Sequence, residues 1–221
     1  MPLTPLLMLA LFALLLLLFL LIQIDVLNFA FAKLGLPANA GMLVLFGSLV
    51  GSTINIPLFV LRSGGGGAPG KLLPRRYAHL QDVADGFAGR TVIAVNLGGC
   101  VIPVGISLFL LQLHDLPLRP VFLGVAGVAL ISFLTSRPVR GLGIAMPLFV
   151  APVAAVLLAL LLLPGLAAPL AYVSGTLGVL IGADLLRLRQ ISRLGAPVAS
   201  IGGAGTFDGI FFTGVLAALL A

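Results

Sequence analysis

The sequence predicts an all-α protein, a single polytopic transmembrane helical bundle over residues 1–221 with about seven spans, N-terminus cytoplasmic and C-terminus outside. Three observations predict it. Of the residues, 61% are hydrophobic and 8% charged, a balance that a water-exposed globular domain does not sustain. Apolar runs of spanning length recur along the whole chain. Basic residues gather in alternate connections, the signature of cytoplasmic loops.

The first run, 3–24, is about 22 residues long and lacks a basic region before it, so it reads as a span. Ala30-Phe31-Ala32 imitates a leader cleavage site, but the run is too long for a leader. The further spans fall at 41–61, 91–113, 121–136, 141–163, 169–186 and 196–221, the fourth being short. On this count Arg62, Lys71, Arg75, Arg76, Arg90, Arg137, Arg140, Arg187, Arg189 and Arg193 lie on one side, and only Lys33 and Arg119 on the other. That asymmetry sets the orientation of a multi-pass membrane chain.

Between the second and third spans, 62–89 holds Gly64 to Gly67, Pro69, Gly70 and Pro74. It reads as a flexible basic cytoplasmic loop, not a folded domain. The basic residues of 62–90 and 187–193 are expected to meet anionic lipid headgroups. Gly65 and Gly70-Lys71 have the spacing of a phosphate loop, yet Leu72 stands where a Ser or Thr would hold magnesium and Pro74 breaks the required helix. The net charge of +6 therefore points to lipid phosphate, with no nucleic-acid partner.

The chain contains no Glu, which excludes His-Glu-x-x-His zinc chemistry, and His79 and His114 lie in loops, which excludes a serine–histidine intramembrane hydrolase. No metal or cofactor is implied. Cys100 is the only cysteine, so no intrachain disulfide forms.

Polar residues inside spans are costly and are candidates for function. Asn55 and Asn96 both fall about 10 Å below the cytoplasmic surface on helical spacing, and Ser52 shares the face of Asn55. Interhelical hydrogen bonding at a contact lined by Gly47, Gly51, Gly98 and Gly99 is the plain alternative. Asp184, after Gly182, ends the sixth span and stands three residues before Arg187, an ion-pair spacing. Asp208 follows Pro197, Gly202, Gly203, Gly205 and Thr206 and precedes Gly209. A continuous helix would carry it about 22 Å from Arg193, but Pro and Gly weaken that helix. A turn or re-entrant loop over 196–205 would let Thr206 cap a short final helix and bring Asp208 to the depth of Asp184.

Two carboxyls at hydrogen-bonding distance share one proton, and such a pair can activate water and protonate a leaving amine. Catalysis by Asp184 and Asp208 is one reading, with a transmembrane peptide as substrate. Transport or ligand binding by the broken glycine segment is a second, and a non-catalytic scaffold with close glycine packing a third. The distance between the two carboxyls separates the first from the others. Spans two, three, six and seven are expected to enclose the polar cluster, with span one and the middle pair outside.

Asn55-Ile56-Pro57, Asn96-Leu97-Gly98-Gly99, Ile181-Gly182-Ala183-Asp184-Leu185-Leu186 and the run from Ile201 to Phe211 together resemble the prokaryotic membrane family catalogued as domain of unknown function 1614. More distantly, an Asp in span six and a glycine-preceded Asp in span seven look like the GxGD intramembrane aspartyl proteases of the presenilin and prepilin-peptidase kind. That resemblance implies Asp184 and Asp208 as the catalytic pair. In this chain Thr206 and Phe207 stand between the last glycine and Asp208, where that motif has Gly directly before Asp.

Overall fold

The computed structural model describes residues 12, 14, 24–37, 39–62, 90–139, 143–191, 198–203 and 209–221. Helix α1 (24–33) and helix α2 (Ala40–Gly51) come first, followed by strand β1 (Asn55–Arg62). Strand β2 (Arg90–Asn96) runs through a wide π turn, Leu97–Val101, into helix α3 (Ile102–Leu113). Helix α4 (Leu118–Thr135) is followed by a small hairpin of β3 (Arg137–Val139) and β4 (Gly143–Ala145), then helix α5 (Val150–Leu162). A 3-10 turn, Pro164–Leu166, opens helix α6 (Ala167–Val179), which ends in a second π turn, Leu180–Asp184, and the tight turn Leu185–Arg187. After Leu188–Ile191 come strand β5 (Val198–Ile201) and helix α7 (Gly209–Leu220).

The protein is mostly helical, but a three-stranded sheet corrects the all-α expectation. β1 pairs antiparallel with β2, and β5 pairs parallel with β2. Three runs read as spanning helices, 41–61, 91–113 and 196–221, each change from helix to strand or strand to helix partway. Apolar content does not distinguish a buried strand from a buried helix; local chemistry does. Thr91, Val92, Ile93 and Val95 are β-branched residues that favour extended backbone. Pro57 disfavours a helix running on through this segment and sits at the irregularity between Pro57 and Phe59 in an edge strand. As the middle strand, β2 is buried on both faces: Thr91, Val92, Ile93, Ala94 and Asn96 are all enclosed.

Among the described residues, two helical stretches, Leu118–Thr135 and Pro164–Arg187, are long and apolar enough to cross a membrane, while Ala40–Gly51, Leu97–Leu113 and Val150–Leu162 are shorter. The second of the two is the axis of the fold. α6 is enclosed nearly all round, from Ala167 to Val179, as expected of a helix that is apolar on every face. α3, α4, α5 and α7 all pack against it. The middle pair, α4 and α5, thus packs against the central helix. Small residues permit this: Gly178 meets Val128 and Ala129, and Gly182 meets Ala129 and Ser132.

Arg187 ties the lower end of α6 to α4. Its Nε donates to Ser136 Oγ at 2.7 Å and its Nη1 to Gln190 Oε1 at 2.6 Å. Nη2 donates to the Phe133 carbonyl, and the guanidinium stands 4.5 Å over the Phe133 ring. Charge-assisted bonds and ring stacking fix this fork as an ammonium would not. Arg187→Met is expected to destabilise the chain by about 2 kcal/mol, read by denaturant unfolding in detergent.

Candidate functional site

The site is built where the sheet meets the end of α6. The first step is the π turn at Leu180–Asp184, an extra residue in the helical winding of the sort that re-aims side chains. Gly182 lets that turn lie on α4, since a Cβ there would stand 2.2 Å from the Ala129 carbonyl oxygen. The turn ends at Asp184, whose Oδ2 accepts a hydrogen bond from the Gly202 N–H at 2.8 Å. The Arg187 guanidinium is engaged elsewhere, so the ion pair suggested by its three-residue spacing is not the one that forms.

Gly202 reaches Asp184 because the chain turns sharply after β5. Its φ is +73°, a region that other residues enter only under strain. A Cβ there would also stand 2.6 Å from Cys100 Cβ. Both the turn and the close approach require glycine.

Beside this turn lies an amide and hydroxyl network. Asn55 and Asn96 face each other across β1 and β2. Their common depth, expected from helix spacing, arises instead from strand register. Asn96 Nδ2 donates to the Ser52 carbonyl at 2.8 Å and to Asn55 Oδ1 at 3.2 Å. Asn96 Oδ1 accepts from the Gly99 N–H at 2.8 Å and so caps the first π turn. Ser200 Oγ donates to Asn55 Oδ1. Gly203 lies against Ser200 and Asn96, where a Cβ would come within 2.8 Å of Ser200 Oγ. Ser52 contributes its carbonyl only, since its hydroxyl donates to Leu49 O at 2.7 Å and α2 has already ended at Gly51.

Asn96 is 1% exposed, and both ends of its amide are committed to the protein. It holds the sheet, the end of α2 and the π turn together. Asn96→Leu leaves the Gly99 N–H and the Ser52 carbonyl without that partner and is expected to cost about 2 kcal/mol, measured by chemical unfolding.

Segments two, three, six and seven therefore meet, through Asn55, Asn96, Asp184 and Ser200 to Gly203. Ser200 had no sequence signal: a four-residue strand is too short for its alternation to be distinctive. Gly205, Thr206 and Asp208 lie outside the described residues. The last run is not one helix, since strand β5 and helix α7 are separate elements. α7 begins at Gly209 and packs on α6, with Gly175 against Thr213 and Gly214 against Thr176 and Tyr172. Gly202, ahead of α7, touches the far end of α6, so the two helices run antiparallel. Gly209 is four residues before Thr213 and Asp184 nine after Gly175. At 1.5 Å per residue, Gly209 stands about 7 Å short of Asp184 along the axis.

The family described as "Protein of unknown function (DUF1614)" matches residues 49–220. The chain belongs to this family. No curated protein and no solved structure matches it. The DUF1614 region contains the whole cluster from Ser52 to Gly209 and leaves out α1 and most of α2.

Proposed function

We propose that this chain is a multi-pass protein of the prokaryotic plasma membrane in which Asp184 and Asp208 share a proton and hydrolyse a peptide bond of a transmembrane substrate. The observation that carries this reading is the bond from Gly202 N–H to Asp184 Oδ2. It folds the glycine segment onto Asp184, and α7 then starts at the residue after Asp208. Among the described residues no arginine pairs with Asp184, and the Gly202 bond takes only Oδ2 of its carboxyl.

In the proposed reaction the ionised carboxyl takes a proton from water as the water oxygen bonds to the substrate carbonyl carbon. The protonated carboxyl gives its proton to the carbonyl oxygen. Collapse of the gem-diol breaks the C–N bond, one hydroxyl proton returns to the dyad, and the amine leaves with the other carboxyl's proton. Asn55, Asn96 and Ser200 support the turn that carries Gly202, and anionic headgroups meet the basic residues of 62–90 and 187–193 other than Arg187, whose guanidinium is engaged within the protein.

The test is a photo-crosslinkable hydroxyethyl peptide isostere, which mimics the gem-diol, applied to the full chain in proteoliposomes. Specific labelling that is lost in both Asp184→Asn and Asp208→Asn supports the dyad. Absence of labelling in the wild-type chain, or labelling indifferent to both substitutions, removes the protease reading. A second reading, proton-coupled transport, draws on the interrupted helices: π turns at Leu97–Val101 and Leu180–Asp184 both border the cluster, as broken helices do at carrier sites. Proton flux across those proteoliposomes that depends on Asp184, with no probe labelling, favours it.

A further inference from the structure

A cleft of about 540 Å³ opens at the end of α4, lined by Leu134, Thr135, Arg137, Ala145, Met146 and Pro147. Three features give it a chemical character. Arg137 is exposed, and among the described residues its guanidinium has no hydrogen bond or ion pair, in contrast to the fully engaged Arg187. The other lining side chains are apolar apart from that of Thr135, whose hydroxyl donates to Ile131 O and keeps its lone pairs to accept. Exposed side chains lead down from it along one helical face: Leu134 at 68%, Leu130 at 58%, Phe122 at 72% and Leu118 at 79% fall at multiples of four residues.

The length of α4 sets the depth. Its 18 residues span about 27 Å, close to the hydrocarbon thickness of a bilayer. Arg119 and Arg137 then stand at opposite interfaces. A guanidinium at headgroup level above an apolar track is a phosphate site joined to an acyl-chain site. A free inorganic anion would use the first and leave the second bare.

We propose that this cleft binds an anionic phospholipid, with its phosphate on Arg137 and an acyl chain along Leu134 and the stripe below. The β3–β4 hairpin, in which Arg137 pairs with Ala145, holds the cation over the track. The inference rests on membrane insertion and is independent of any chemistry at Asp184.

The chain contains no tryptophan, so Met146→Trp in the cleft is a reporter without background. The full chain carrying it is placed in bilayers with increasing fractions of brominated phosphatidylglycerol or brominated phosphatidylcholine, and tryptophan quenching is read. The expected result is half-quenching at about one-fifth the fraction for the anionic lipid, the advantage of one basic residue at an anionic surface. Adding Arg137→Gln should abolish that preference, and adding Arg119→Gln should keep it. If Met146→Trp does not fold, Leu134→Trp at the exposed rim takes its place. Equal quenching by both lipids overturns the proposal, as does a preference that survives Arg137→Gln. Relief of quenching by millimolar inorganic phosphate alone would assign the cleft to a free anion and overturn it too.

Discussion

Asp184→Asn is expected to remove probe labelling and peptide cleavage, a loss of about 10²–10⁴-fold, without unfolding the chain. The side chain keeps its shape, and the amide oxygen still accepts the Gly202 N–H that Asp184 Oδ2 accepts at 2.8 Å. What disappears is the ability to take up and release a proton. The turn at Gly202, the Asn55 and Asn96 pairing and the Arg187 fork do not depend on that charge. Unfolding of Asp184→Asn should therefore match the wild type to within about 1 kcal/mol while activity is gone. A dyad that shares a proton also gives a bell-shaped pH profile whose two constants belong to the pair. That shape should be absent from both single Asn variants. Cleavage by Asp184→Asn at a wild-type rate would remove Asp184 from the chemistry, whatever its place in the fold.

The legible part of this chain was its chemistry more than its backbone. Asn55, Asn96 and Asp184 stood out because polar groups in apolar runs are expensive, and the structure gathers them with the glycines at 202 and 203. That cost applies equally to helices and buried strands, so it located the cluster and was silent on how it is made. The strand is apolar from Val92 to Val95 because both its faces are covered, and continuous apolarity is also what a spanning helix shows. Pro57 and the β-branched residues of Thr91-Val92-Ile93 were the available hints of extended backbone. The alternation of Ser200 was too short to read.

Arg187 illustrates a different limit. Three residues after Asp184 is an ion-pair spacing on a regular helix, but the helix is not regular there. The π turn ending at Asp184 and the 3-10 turn Leu185–Arg187 change the angle between the two side chains. Arg187 then finds Ser136, Gln190 and the Phe133 carbonyl. Tertiary partners at large sequence separation were invisible to local spacing, and so was the central position of α6, which follows from small residues on several of its faces at once.

Gly98→Ala should be the most damaging single methyl addition among these packing glycines, costing about 4 kcal/mol. The new Cβ would stand 1.9 Å from the Ser48 carbonyl oxygen, 2.5 Å from the Ser52 nitrogen and 2.9 Å from the Gly51 carbonyl carbon. All three are backbone atoms of the last turn of α2 and its C-cap residue Ser52, so no rotamer change relieves the clash. Gly51 returns the constraint, since a Cβ on it would meet Gly98 N at 3.0 Å. The chain must part at this crossing, and Asn96, two residues before Gly98, moves with it. Its bond to the Ser52 carbonyl bridges the same two segments. Gly98→Ala should therefore lower both stability and probe labelling, whereas Asp184→Asn lowers labelling alone. Gly105→Ala is the matched comparison, for nothing lies within 4 Å of its Cβ position in α3. Alanine there should stabilise the helix by about 0.5–1 kcal/mol. Detergent-solubilised Gly98→Ala unfolding at the same denaturant concentration as Gly105→Ala would mean that α2 and the π turn do not meet, and the support for the amide network would have to come from the sheet alone.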